Sequence, residues 1–179
     1  MNINDLRKIQ EDIKQLCHGA RLELINGKFY IIPKPNRMHQ FLSMNISARI
    51  FNHIEKNKGK CHIYTAPLGV RLFADDETWV EPDILVICKR KEILSEQGCD
   101  GAPDLIVEIV SPSNSFHDYV TKLMKYQQAG VREYWIVDPM KETIGVYNFE
   151  TETVEHYNFT DKVKAEIYED LEIDFSEIE

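Results

Sequence analysis

Long apolar runs are missing from this sequence. No segment approaches the ~20 consecutive apolar residues a membrane-spanning helix needs, which excludes a transmembrane protein of the helical kind. Cysteine is sparse: Cys17, Cys61, Cys88 and Cys99 are scattered, with no C-x-x-C pair. That spacing argues against a zinc site and gives no disulfide framework. Internal repeats and low-complexity stretches are absent too, so a repeat architecture is excluded. The opening "MNINDLRKIQEDIKQL" is polar and periodic, unlike a secretory signal peptide. A cytoplasmic protein is the simplest expectation.

A surplus of positive charge is also lacking. The formal net charge of -9 taken alone argues against a nucleic-acid partner. Its distribution changes that. Residues 150–179 hold eleven acids and two bases, leaving 19 acids and 19 bases in the rest. The acidity belongs to the C-terminal segment, and residues 1–149 remain able to present a basic face. Candidates are Lys56, Lys58 and Lys60, and the run Lys89, Arg90, Lys91; each cluster also reads as a solvated turn.

What is present suits one domain over residues 1–179. The chain is 43% hydrophobic and 28% charged, ordinary for a globular protein with a real core. Leu6, Ile9, Ile13 and Leu16 recur at helical spacing after Asn4 and predict an N-terminal helix. In "LELINGKFYII", Asn26-Gly27 between apolar alternations predicts a hairpin. Leu42, Ile46, Ile50 and Ile54 predict a second helix from about Met38 to Lys56. "CHIYTAPLGVRLF" and "WVEPDILVIC" read as strands, "KRKEILSEQGCDG" as a loop with at most a helical turn, and "DLIVEIV" as a strand ending before Pro112. "DYVTKLMKYQQAG" is the next helix, stopped by Gly130. "EYWIVDP" is a further strand, with Tyr134 and Trp135 in the core. An acidic, β-rich tail starts at about residue 141. Runs such as "DILVI" and "LIVEIV" are apolar on both parities, so the middle sheet is expected to be covered on both faces.

Glu108 interrupts the most apolar of these strands. A buried carboxylate costs several kcal/mol unless something compensates it. Alternation sets Asp104, Ile106, Glu108 and Val110 on one face. Asp83 starts the preceding strand, after Pro82; if the two strands are neighbours, Asp83 and Glu108 converge. A divalent metal such as Mg²⁺, which takes one or two carboxylates and keeps several waters, would then remove their repulsion. The following helix packs back over the sheet and offers Lys122, with Lys125 competing for the same role. The unexceptional readings are a buried Glu108–Lys122 salt bridge, an Asp83 that only caps a turn, and an exposed Asp118–Lys122 pair at i, i+4 spacing.

An Asp followed by Glu-x-Lys is the pattern of the PD-(D/E)XK nuclease superfamily. "EPDILVI" and "VEIV" match its Asp and Glu positions, while Val110 stands where the lysine usually is. That departure is normal for the Uma-type putative restriction endonuclease family of bacteria. The chain resembles this family through "LELINGK", "MHQ", "VRLFADDETWVEPDILVI", "GAPDLIVEIVSPSNSFHDYVTKLMKYQQAGVREYWIVDP" and "TIGVYNFE", in order. The resemblance implies an α/β restriction-endonuclease-like core: a central mixed β-sheet flanked by helices, with an N-terminal helix and hairpin before it and the β-rich tail after it. It implies a Mg²⁺- or Mn²⁺-dependent DNA endonuclease that hydrolyses phosphodiester bonds. Asp83 and Glu108 would bind the metal with the backbone carbonyl of Ile109, and Lys122 would replace the strand lysine. His39, Gln40, Asp104 and Lys125 are candidates for supporting positions; Glu23 reads as structural. DNA is the expected partner, and double-strand cleavage would suit a homodimer. The alternative is a non-cleaving nucleic-acid or protein interaction module on a nuclease scaffold.

Overall fold

Both apolar parities of the middle strands are covered, as the sequence requires, and the covering layers differ. The computed structural model describes residues 8, 12, 21–74, 77–88, 90–111, 117–168 and 170–178. Lys8 and Asp12 are helical; the rest of the predicted N-terminal helix lies outside the described residues. So do Lys89 and the side chains of Arg90, Lys91 and Asp118, and with them the second basic run and the Asp118–Lys122 pair.

The hairpin forms at Asn26-Gly27, both residues at positive φ (52° and 72°), the conformation that makes this dipeptide a hairpin turn. It joins β1 (Arg21–Ile25) to β2 (Lys28–Ile32). Helix α1 (Arg37–Lys56) follows, its first turn capped by the Asn36 side chain on the His39 amide at 2.9 Å. The stretch read as one strand from Cys61 divides into β3 (His62–Thr65) and β4 (Val70–Arg71) around a cis Ala66–Pro67 peptide. "WVEPDILVIC" likewise divides into β5 (Trp79–Val80) and β6 (Ile84–Ile87). A prolyl nitrogen has no proton to give a ladder, and Pro67 and Pro82 fall in the two breaks. The predicted loop then contains a helical turn, α2 (Arg90–Ile93), and two short strands, β7 (Leu94–Ser95) and β8 (Gly98–Asp100).

Strand β9 (Leu105–Ile109) leads through a π-helical turn (His117–Lys122) into α3 (Leu123–Ala129), which ends at Gly130 with φ 89°. Strand β10 (Glu133–Asp138) returns parallel to β9, completing the β-α-β crossover. The tail supplies β11 (Thr143–Asn148), β12 (Thr153–Asn158), β13 (Lys162–Lys164) and β14 (Glu172–Asp174).

The central mixed sheet has the order β12-β11-β10-β9-β6-β3, and the second sheet β2-β1-β5-β4-β8-β7. On one face of the central sheet, Leu42, Ile46, Ile50 and Ile54 of α1 pack with Val86, Val107 and Trp135, and the tail adds Val163, Ile173 and Phe175. On the other face, Leu85, Ile106 and Tyr134 pack against α3 through Tyr126 and against the second sheet through Ile25, Val70 and Val80. Helices therefore lie on both faces as expected. The second sheet was not foreseen as a sheet, because several of its strands have only two residues.

The scattered cysteines give no disulfide framework in sequence, yet Cys61 and Cys88 form a disulfide. Strands β3 and β6 run antiparallel with His62 opposite Ile87, so the next residue outward on each strand is a cysteine. The non-reduced protein should weigh two hydrogens less than the reduced one, and reduction should lower stability by about 2 kcal/mol. Equal masses would show free thiols.

Candidate active site

Strand register brings the two predicted carboxylates together. β6 pairs antiparallel with β9, with Ile84 opposite Val107 and Leu85 opposite Ile106. Continuing that register by one residue sets Asp83 opposite Glu108. Both side chains are buried, and so are Glu23, Glu81 and Lys122. Together they make five of the nine buried polar residues among those described. Buried polar groups are costly, so their concentration at one point makes this cluster the candidate site.

Each carboxylate is held by named donors. Asp83 Oδ2 accepts the Ile109 amide at 2.9 Å and lies 2.9 Å from His39 Nε2. Asp83 Oδ1 is 3.4 Å from the Arg21 guanidinium. Burial pushes the Asp83 carboxyl up. The hydrogen bond and charge of His39, the Ile109 amide and the charge of Lys122 outweigh it and hold the carboxyl below its usual value. Glu108 Oε1 accepts from Lys122 Nζ at 2.9 Å and from the Tyr126 hydroxyl at 2.7 Å. Lys122 Nζ also lies 2.9 Å from Glu23 Oε1, which in turn accepts the Glu81 amide at 3.0 Å. Burial and the Glu108 charge raise the Tyr126 hydroxyl well above a free tyrosine, so it serves as a proton-bearing donor.

The helix geometry explains how one carboxylate gathers two donors. Lys122 ends the π-helical turn and Tyr126 lies four residues on in α3, so the two share the face that packs on β9. Arg21, at the start of β1, spans Glu81 (Nε–Oε2 3.1 Å, with a further hydrogen bond to the Glu81 carbonyl) and Asp83. Burial works against the Arg21 charge, but Asp83, Glu108 and Glu81 outweigh it and raise the guanidinium pKa.

Other predicted positions fall elsewhere. Gln40 is exposed and lines the cleft beside the site. Lys125 sits over the Phe73 ring, 5.3 Å from its centroid. Asp104 lies apart from the carboxylate cluster. It shares the parity of Glu108 but lies four residues, about 13 Å, back along β9. There it accepts the Cys88 amide at 2.8 Å and faces Arg132 at 3.4 Å. Lys56, Lys58 and Lys60 are exposed near the C-terminal end of α1. Lys56 is about 25 Å along the helix from His39, so that basic cluster is not at this site. The sequence reading missed Arg21, Glu81 and Tyr126, and it placed Glu23 outside the site. A carboxylate between Leu22 and Leu24 and a K-x-x-x-Y spacing facing a glutamate strand were the available signals.

The donor set fits a hard divalent cation. Glu23, Glu81, Asp83 and Glu108 stand against Arg21 and Lys122, with His39 beside Asp83, so carboxylates outnumber the cationic side chains. Among the described residues no group of three or more His, Cys, Asp or Glu is placed to hold a metal. Two carboxylates with waters and a carbonyl are what Mg²⁺ commonly takes. A contrasting carboxylate lies in β10. Burial raises the Glu133 carboxyl despite hydrogen bonds from the Trp135 ring and the Ile167 amide. Glu133 is held by neutral donors with the Glu166 carboxylate nearby, whereas Asp83 faces Arg21 and Lys122.

A cleft of about 450 Å³ opens onto Asp83 from the α1 side. Its lining includes Arg21, His39, Gln40, Ser47 and Pro67.

A family model described as "Uma2: Putative restriction endonuclease" matches residues 10–176. A crystal structure of a putative nuclease belonging to DUF820, from Anabaena variabilis ATCC 29413, is similar over 89% of each chain, with 21% identity and a TM-score of 0.73. No curated protein matches the chain. No helix among the described residues is long and apolar enough to cross a membrane.

Proposed function

The chain belongs to the Uma2 family of putative restriction endonucleases, and from that premise we propose that it is a metal-dependent DNA endonuclease hydrolysing phosphodiester bonds. The observation that carries this reading is the convergence of Asp83, Glu108 and Lys122 at the point where β6, β9 and α3 meet. Asp83 and Glu108, with the Ile109 carbonyl, are the groups that would hold Mg²⁺ or Mn²⁺. An ion held there would supply Lewis-acid polarisation of a phosphate oxygen and a water of lowered pKa.

The chain's own residues do the rest. The Ile109 amide and Arg21 fix the Asp83 carboxylate in one orientation. Glu23 and Glu108 hold the Lys122 ammonium from two sides, so it meets the phosphate already oriented and charged. A preorganised cation of this kind stabilises negative charge developing on the phosphoryl oxygens. Arg21 stands where the cleft meets Asp83 and presents donors to the phosphate of an entering strand, while His39 Nε2 holds the Asp83 carboxylate. A cytoplasmic setting suits a DNA substrate; the Cys61–Cys88 disulfide would be reduced there.

Supercoiled plasmid incubated with Mg²⁺ or Mn²⁺ should be nicked or linearised, and chelator should stop the reaction. Intact plasmid under all metal conditions, with binding retained, would favour the non-cleaving interaction module. Calorimetric titration with Mn²⁺ should give binding that Asp83→Ala weakens at least about tenfold, the loss of one charged ligand interaction. Equal affinity in both proteins would remove Asp83 from the metal site.

A further inference from the structure

The cleft beside Asp83 holds unmet hydrogen-bonding demand. Among the described residues, the buried side-chain nitrogen and oxygen atoms without a partner are His39 Nδ1 and Ser47 Oγ. The two residues are eight positions apart on α1 and so share one helix face. Both line the same cleft. Buried polar atoms of folded proteins are normally satisfied, and a pair left open in one cavity points to something that enters it. The rest of the lining combines apolar side chains, Pro35, Met44, Ala66 and Pro67, with the polar Gln40, Ser43 and Thr65. Apolar surface interspersed with hydrogen-bonding groups suits a nucleobase, whose faces are apolar and whose edge is polar.

Position strengthens the match. His39 touches Asp83 with Nε2 and carries its open Nδ1 on the same ring. A phosphate at Asp83 therefore leaves the neighbouring nucleotide at the mouth of the cleft. Arg21 at the cleft floor complements the charge of the connecting phosphate. A volume of about 450 Å³ accommodates one nucleotide, within the usual range of small-molecule pockets. A base stacked and paired in a duplex cannot reach it.

We propose that this cleft receives one unstacked nucleotide beside the scissile phosphate, so that the substrates are single strands and duplexes with unpaired nucleotides, in preference to fully paired DNA. The assignment rests on the nuclease reading above. Extruding a base costs a few kcal/mol, and least where the base is already unpaired.

The experiment compares kcat/KM in Mg²⁺ for three oligonucleotides of one sequence: a single strand, a duplex with a one-nucleotide bulge, and the full duplex. Methyl p-nitrophenyl phosphate, a phosphodiester without a base, is the fourth substrate. The single strand and the bulge should be cleaved at least about tenfold faster than the duplex. Ser47→Leu, which fills the cleft, should bring the bulge and the duplex to near parity. Ser47→Ala, which removes only the hydroxyl, should reduce the advantage about threefold. Neither variant should slow the base-free ester as much as it slows the single strand. Equal wild-type rates on bulge and duplex would overturn the cleft assignment and leave the nuclease reading standing. So would equal slowing of ester and single strand by Ser47→Leu. No wild-type cleavage of any of the four substrates would overturn both.

Discussion

Lys122→Met should lose about 10²–10³-fold in cleavage rate and about 3–5 kcal/mol of stability in chelator. The ammonium is buried and lies 2.9 Å from both Glu23 and Glu108. Its removal leaves two buried carboxylates facing each other, with the Tyr126 hydroxyl and the Glu81 amide among their remaining donors. For a chain of this size the loss corresponds to a fall in Tm of roughly 10 °C. The surviving carboxylates form a stronger cation site than before. Mg²⁺ should therefore raise the Tm of the variant more than that of wild type, without restoring cleavage. Lys125→Ala is the control: its ammonium lies over Phe73, and most activity should remain. Full activity in Lys122→Met, or the loss of it in Lys125→Ala, would show that the wrong helical turn has been assigned the role.

The lysine also shows how far the sequence reaches. Strand parity and the packing of a β-α unit were enough to put Asp83, Glu108 and a helical lysine in one neighbourhood. The choice between Lys122 and Lys125 was not legible, because a helix rotates by 100° per residue and its phase over the sheet is set by packing. Once Tyr126 is seen buried against Tyr134, with ring centroids 4.9 Å apart, Lys122 follows from i, i+4 spacing. Glu23 and Glu81 were hidden for a different reason. Their partners lie 58 or more residues away in sequence, and the two-residue strand β5 that pairs with β1 and brings them together is too brief for periodicity to register. The disulfide was hidden in the same way until the β3–β6 register was known.

Glu108→Gln should abolish most cleavage, by about 10²–10³-fold, while changing stability in chelator by no more than about 1 kcal/mol. From sequence alone the carboxylate looks poorly compensated without metal, and neutralising it looks neutral or stabilising. The structure corrects that expectation by giving Glu108 two donors, Lys122 Nζ and the Tyr126 hydroxyl. Glutamine keeps an acceptor oxygen for both. Lys122 keeps the charge of Glu23, so the substitution strands no ammonium. What the variant loses is one of the two charges that would hold the ion. Mg²⁺ at a hundred times its dissociation constant should stabilise wild type by about 2.7 kcal/mol through mass action, and the variant far less. A purely structural Glu108–Lys122 bridge makes a different forecast: Mg²⁺ would leave the melting of both proteins unchanged. Thermal melts of wild type and variant, each in chelator and in saturating Mg²⁺, separate the two, and the absence of any Mg²⁺ response in wild type, or an equal response in both, would remove Glu108 from the metal site.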